Sequence, residues 1–328
     1  MSARDRVRDL LVIGAGPCGL AAACSAMRAG MSVRVIDRGS VLAGVRKLPE
    51  EMRWFSTADR LEIDGVPFPT SGEKPSRDDG IAYWCAVARA RAVDVRPFRE
   101  ALAVEGAKGD FRVKLRRGDG TEEVECAAAV IVSTGALERR PLGIPGEDLS
   151  HVDAWFRSPL DAVGCRTVVV GGRNSAAEAA LALARAGVEV TIAYRRAAFD
   201  AKHVKPWVLP DLENRIREGR IATRLGAVPI AVTADALRLR HADGHVEDLA
   251  AERVFLLTGY GPDVAWLGRC GIPVGEVDVP QHDPATYETP RRGVFVAGVV
   301  AGGSIAGRVF IEDGRFHGDA VVRALSAG

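Results

Sequence analysis

The stretch Asp9–Asp37, DLLVIGAGPCGLAAACSAMRAGMSVRVID, decides the fold. Four apolar residues, Leu10 to Ile13, read as a buried parallel strand. Gly14, Gly16 and Gly19 then set a G-x-G-x-x-G spacing, and an alanine-rich segment from Leu20 runs as a helix to its stop at Gly30. Val33, Val35 and Ile36 form the next strand, which closes on Asp37, eighteen residues past the last glycine. In such a strand–turn–helix–strand unit the glycines allow a tight turn and close backbone approach to a pyrophosphate. The helix N-terminus attracts the anion, and the terminal acid binds ribose hydroxyls. Gly14, Gly16, Pro17, Cys18, Gly19, Asp37 and the following Arg38 are therefore candidate contacts of a dinucleotide.

A second unit opens at Arg166: RTVVVGGRNSAAEAALALARAGVEVTIAYRR. An apolar strand meets Gly171-Gly172, a helix ends at Gly187, and a strand is expected over Val188 to Ala193. Where an acid would hold a free 2′-hydroxyl, this unit has Arg195 and Arg196, which suit a 2′-phosphate and point to NADPH. Gly171, Gly172, Arg173, Asn174 and Ser175 form its phosphate loop, with Arg173 where a glycine usually admits the pyrophosphate. Two sites of different polarity imply a relay, with FAD resident at the acid-ended site and NADPH as diffusible donor.

Three later segments complete this plan. The strand from Ala127 ends in Ser133-Thr134-Gly135, where Thr134 and Gly135 are candidate FAD contacts. RVFLLTGYGPD (Arg253 to Asp263) repeats that pattern in the second unit. GVFVAGVVAGG (Gly293 to Gly303) adds a strand ending at Gly298-Val299, also assigned to FAD. A helix is expected around RVFIEDGRFHGDAVVRAL, its N-terminus stabilising the anion of reduced flavin. The expected fold is α/β with two Rossmann-like, three-layer (ββα/βαβ) nucleotide-binding domains. An FAD domain over 1–150 is interrupted by an NADPH domain over 151–258 and resumes over 259–328.

Composition narrows the rest. The chain has 328 residues and a formal net charge of +1, which speaks against nucleic acid or an anionic membrane as partner. The charged start is not expected to be a signal peptide, and no stretch is apolar for long enough to span a bilayer. Six dispersed cysteines with no C-x-x-C, and six scattered histidines, point to a metal-free cytoplasmic protein.

The overall plan resembles the low-molecular-weight thioredoxin reductase branch of the flavin disulfide reductases. That branch carries a C-x-x-C before its second glycine loop, and here Ala154 and Arg157 stand at those places, which excludes a dithiol relay. A closer resemblance is to the bacillithiol disulfide reductase (YpdA or Bdr) family. It rests on GPCGL, FSTADRLEIDGVPFP (Phe55 to Pro69), KPSR, GGRNSAAEAAL, VKPWVLPDLENRIREGRI, YET (Tyr287 to Thr289), AGVVAGG and FIEDGRFHG. STGALERR departs from the family in lacking aromatic residues after the T-G. The resemblance implies an NADPH-dependent FAD enzyme, a homodimer, that reduces a small-molecule disulfide such as that of bacillithiol. It also implies that Cys18 is the redox-active thiol.

The residues themselves leave Cys18 open. The helix start favours a thiolate there, whereas the neighbouring pyrophosphate opposes a second anion, and cysteine also serves as small core filler. His317 has two readings, proton delivery to the flavin or packing at a helix end. Lys205-Pro206-Trp207 reads equally as channel lining or loop anchor, and Cys24 and Cys85 read as core. The competing function is that of the ferredoxin or flavodoxin NADP reductases of thioredoxin-reductase type, which need no thiol.

Overall fold

A computed structural model describes residues 7–305 and 307–327. The charged start, residues 1–6, lies outside them. The chain forms two compact units, one built from the segments up to Glu138 and from Tyr260 onward, the other from Arg139–Gly259.

The first unit begins with β1 (Arg8–Ile13), α1 (Pro17–Arg28) and β2 (Val33–Ile36). After α2 (Arg77–Ala90) come β3 (Val95–Arg96), β4 (Arg99–Ala107), β5 (Asp110–Arg117) and β6 (Glu122–Val132). They form one sheet in the order β3-β2-β1-β6-β5-β4. β1 is parallel to β2 and β6, with Leu10 opposite Val33 and Ala129. The N-terminal half of β6 pairs antiparallel with β5, so one long strand joins a parallel sheet to a meander.

Strand alternation builds three layers. Leu10 and Val12 face Ala22, Ala23 and Ala26 of α1, while Leu11 and Ile13 face Phe111, Val113 and Leu115 of the meander. Alanines on α1 allow a close helix crossing, since a Cβ on Gly318 would lie 2.4 Å from the Ala22 Cα. On α2, Tyr83, Trp84, Val87 and Ala88 turn inward, and Cys85, expected in the core, is exposed on the outer face.

The second unit repeats the design. β7 (Val152–Asp153), β8 (Thr167–Val170), α3 (Asn174–Arg185), β9 (Val190–Tyr194), α4 (Leu209–Arg217) and β10 (Ile221–Leu225) lead to a meander. The meander comprises β11 (Ala227–Val232), β12 (Ala236–His241) and β13 (Val246–Ala250), and β14 (Arg253–Leu256) closes a parallel sheet ordered β10-β9-β8-β14-β7. Val169, Val190 and Ile192 pack on α3, and Val168, Val170 and Ala193 pack on Leu237 and Leu239. β9 starts two residues later than the sequence suggests and includes Tyr194. Segment 139–150 already belongs to this unit, because the Val232 amide donates to Pro145 O at 2.8 Å.

The chain then returns to the first unit, where β15 (Val294–Val296) pairs in parallel with β6. The expected C-terminal helix is two pieces, α5 (Ile311–Gly314) and α6 (His317–Ala327). No helix among the described residues is long and apolar enough to cross a membrane, and no cluster of possible metal ligands occurs among them.

Candidate functional site

The first glycine loop is shaped by three different constraints. Gly14 has φ +115°, and a Cβ there would lie 2.3 Å from Ser133 O. A Cβ on Gly19 would lie 2.0 Å from Gly14 O. Gly16, by contrast, has nothing within 4 Å of its Cβ position, so its backbone is open to a ligand. Pro17 occupies the first turn of α1, where a missing N–H costs nothing. No side chain caps this N-terminus and no acid lies in its first turn, leaving N–H donors for an anion.

Asp37 fits beside them. Its Oδ2 accepts the Ala15 amide and its Oδ1 the Gly39 amide, each at 2.8 Å, which fixes the carboxylate at the loop with lone pairs left for hydroxyl donors. Arg38 pairs with Glu138. Thr134, whose amide nitrogen lies 3.1 Å from the Gly14 Cβ position, and Gly135 (φ +73°) adjoin the loop through Ser133. Gly298 (φ +78°) meets it from β15, its Cβ position 2.6 Å from the Cys18 Cβ, and Val299 is partly exposed beside it. The structure thus gathers Gly14 to Gly19, Asp37, Ser133 to Gly135 and Gly298 at one place, and these residues fit a flavin dinucleotide.

Cys18 is enclosed there. A Cβ on Gly298 or on Gly314 would lie within 2.9 Å of its Sγ. Burial first, and then the nearby Asp313 carboxylate, push the thiol up to about 12. The helix-start argument for a thiolate therefore loses to desolvation. Gly314 ends α5, whose first turn carries Glu312 and Asp313. The helix expected here is thus divided, with the acidic first turn of α5 on the Cys18 side and the start of α6 at His317 against Gly298.

His317 is also buried, and its Nδ1 accepts the Gly298 amide at 3.2 Å. Burial, followed by the neighbouring His282, lowers its pKa to about 4. Near pH 7 the ring engaged in this way is neutral and holds no acidic imidazolium proton for delivery.

The fold also assembles a feature that no sequence motif marks. A cavity of about 420 Å³ is lined by Phe55, Ser56, Thr57, Asp59, Arg60, Phe310 and Glu312. Arg60 and Glu312 pair across it at 3.5 Å. Phe310 O accepts the Gly314 amide at 2.8 Å, which ties the cavity wall to the glycine that seats on Cys18. The available signal was Phe55 and Phe310, each within an apolar pair or triplet that a mostly polar run follows, Ser56 to Arg60 in one case and Glu312-Asp313 in the other.

The second loop uses its glycines for internal packing. A Cβ on Gly171 (φ +148°) would lie 2.5 Å from Leu257 O, and one on Gly172 would lie 2.3 Å from the Tyr194 ring. Arg173 is the exposed N-cap of α3, with no side-chain cap, so the open approach falls at Arg173, Asn174 and Ser175. Asn174 Oδ1 accepts the Lys205 amide at 3.3 Å. Arg195 and Arg196 are exposed directly after β9. Arg196 lies 3.5 Å from Asp200, and Arg195 has no ion-pair partner among the described residues. Trp207 is exposed with the Lys205 ammonium 5.0 Å from its ring centre.

Two glycine loops on separate parallel sheets, one ending on an acid and the other on paired arginines, define an oxidoreductase of the two-nucleotide flavoprotein class. The chain belongs to the pyridine nucleotide-disulphide oxidoreductase family, matched over residues 11–298, and within it to the Bdr group. It is 32% identical to the bacilliredoxin reductase Bdr of Bacillus subtilis, over 96% of this chain and 97% of that protein. The solved bacillithiol disulfide reductase Bdr (YpdA) from Bacillus cereus superposes with a TM-score of 0.93 at 34% identity, covering 98% of this chain and 99% of that one. A thioredoxin reductase from T. acidophilum shares the fold, with a TM-score of 0.75 at 20% identity over 98% and 99% of the two chains. The protein is thus a flavin-dependent enzyme with a thioredoxin-reductase-like fold.

Proposed function

We propose that the first loop holds FAD, that the second holds NADPH, and that the enzyme spends one NADPH on a low-molecular-weight disulfide of the bacillithiol type. The balance is NADPH + H⁺ + RSSR → NADP⁺ + 2 RSH. When bound, FAD supplies the two-electron store between donor and disulfide. The first-turn amides of α1 would hold its pyrophosphate, and Asp37 its ribose.

The observation that carries this reading is the cavity joined through Gly314 to Cys18. Its volume of about 420 Å³ lies within the range of small-molecule clefts. Phe55 and Phe310 offer apolar walls for a disulfide, and Ser56, Thr57 and Arg60 offer donors for its polar arms. In the resting enzyme Cys18 serves as protonated packing beneath the flavin loop. A homodimer in the cytoplasm goes with this reading.

Anaerobic flavin reduction followed by stopped flow tests the nucleotide assignment. NADPH should reduce the flavin faster than NADH at equal concentration. Arg195→Ala should lower the NADPH preference by about tenfold or more, as loss of a guanidinium–phosphate contact implies. Equal rates with the two donors in the unaltered enzyme would refute the assignment.

A further inference from the structure

Two stretches that the functional reading leaves unused, YET and GRFHG, meet in the fold. The His317 ring stacks on the Tyr287 ring with centroids 3.9 Å apart and planes 17° apart. Tyr287 in turn stacks with His282, centroids 5.7 Å apart and planes at 18°. His282 Nδ1 lies 2.7 Å from Pro280 O, so it carries a proton and donates.

The backbone holds this arrangement at a cost. Tyr287 has φ +60°, a left-handed conformation that a bulky residue adopts only when its surroundings enforce it. Its amide donates to Asp283 O at 2.8 Å and its carbonyl accepts from Val296 at 3.0 Å. Val296 ends β15, Ala297 donates to Val132 O, and Gly298 follows with its buried amide directed at His317 Nδ1. A buried amide without an acceptor is strongly disfavoured, and a ring nitrogen can accept only where it carries no proton. The proton of the neutral ring must therefore sit on Nε2.

We infer that His317, clamped face to face by Tyr287, is a positioning residue: its unprotonated Nδ1 holds the Gly298 amide and so sets the Gly298–Val299 turn against Cys18 in the first glycine loop. The titratable groups around the ring fit this role. Burial and His282 disfavour the imidazolium, which outweighs the opposite pull of Asp313, and Tyr287 and Cys18 are neutral near pH 7. The influence of this clamp on the flavin rests on the FAD assignment above, whereas the clamp itself does not.

The test uses the holoenzyme with ¹⁵N-labelled histidine, whose six residues give a simple ring spectrum. His317 should appear as the Nε2–H tautomer and stay so from pH 8 down to about 5. An Nδ1–H tautomer, or titration near pH 6.5, would overturn the inference without any variant being made. Amide exchange at Gly298 is read in His317→Asn, which keeps an acceptor near Nδ1, and in His317→Leu, which keeps only bulk. Exchange should stay slow in the Asn variant and quicken by about tenfold in the Leu variant, the size of one lost hydrogen bond. The flavin midpoint potential should shift in the Leu variant and be restored in the Asn variant. Equal behaviour of the two variants would reduce His317 to packing. A protein that binds no flavin would defeat the FAD assignment while leaving the tautomer and exchange results to decide the clamp.

Discussion

Cys18 shows how strongly surroundings govern a thiol. Burial holds its proton so tightly that almost no thiolate is present at pH 8. Iodoacetamide at pH 8 should therefore label exposed Cys85 and spare Cys18 in the folded holoenzyme, as peptide mass analysis would show; labelling of both at equal rates would contradict the enclosure. The same burial raises Cys24 and Cys270 to about 11. An unfolded thiol releases its proton near 9.0, so the native state binds these protons more tightly. Their contribution to stability is complete below pH 9 and is lost as pH climbs toward 11 to 12, so the urea midpoint should fall over that range. The sequence left the role of Cys18 undecided for a physical reason. Its enclosure is made by Gly298 and Gly314, which lie almost the whole chain away.

At the scale of elements, the first strand–loop–helix unit was legible because each of its parts obeys a local rule. The apolar run, the glycine spacing and the closing acid all describe one backbone path. The three glycines nevertheless serve different ends, and substitution separates them. Gly16→Ala meets no atom, so the protein should fold with an unchanged melting temperature and lose affinity for FAD. Gly14→Ala, strained at φ +115° and pressed on Ser133, should fail to fold or melt far lower. Thermal melts with FAD titration check the pair, and a Gly16→Ala enzyme with full FAD affinity would contradict an open pyrophosphate site. Less legible was the C-terminal helix, whose apolar spacing runs on through Gly314. The fold breaks it there because Gly314 must seat against Cys18 and Gly298, a contact that no local pattern records. Cys85 was misread in the opposite sense. Its apolar neighbours Trp84 and Val87 turn inward, and their helical spacing leaves position 85 outside.

At the scale of the whole molecule, two copies of one layered design carry nucleotide loops of opposite character. The acid-ended loop belongs to the unit that contains the small cavity, and the arginine-ended loop belongs to the other. The order of the glycine loops suggests an inserted second unit, and in the fold that unit runs over Arg139–Gly259, opening before the expected residue 151 because residues 139–150 carry no glycine-loop signal. The cavity was not readable in the sequence, because it is assembled from Phe55 to Arg60 and from Phe310 to Glu312, segments that touch only in the folded chain. The central claim is that this cavity serves a small disulfide. The most direct test is anaerobic NADPH consumption by the FAD-loaded enzyme with bacillithiol disulfide, with ferredoxin and flavodoxin assayed in parallel. The account predicts one NADPH consumed and two thiols released per disulfide, with no comparable turnover on the redox proteins. NADPH consumption driven by ferredoxin or flavodoxin, with the disulfide left intact, would contradict it.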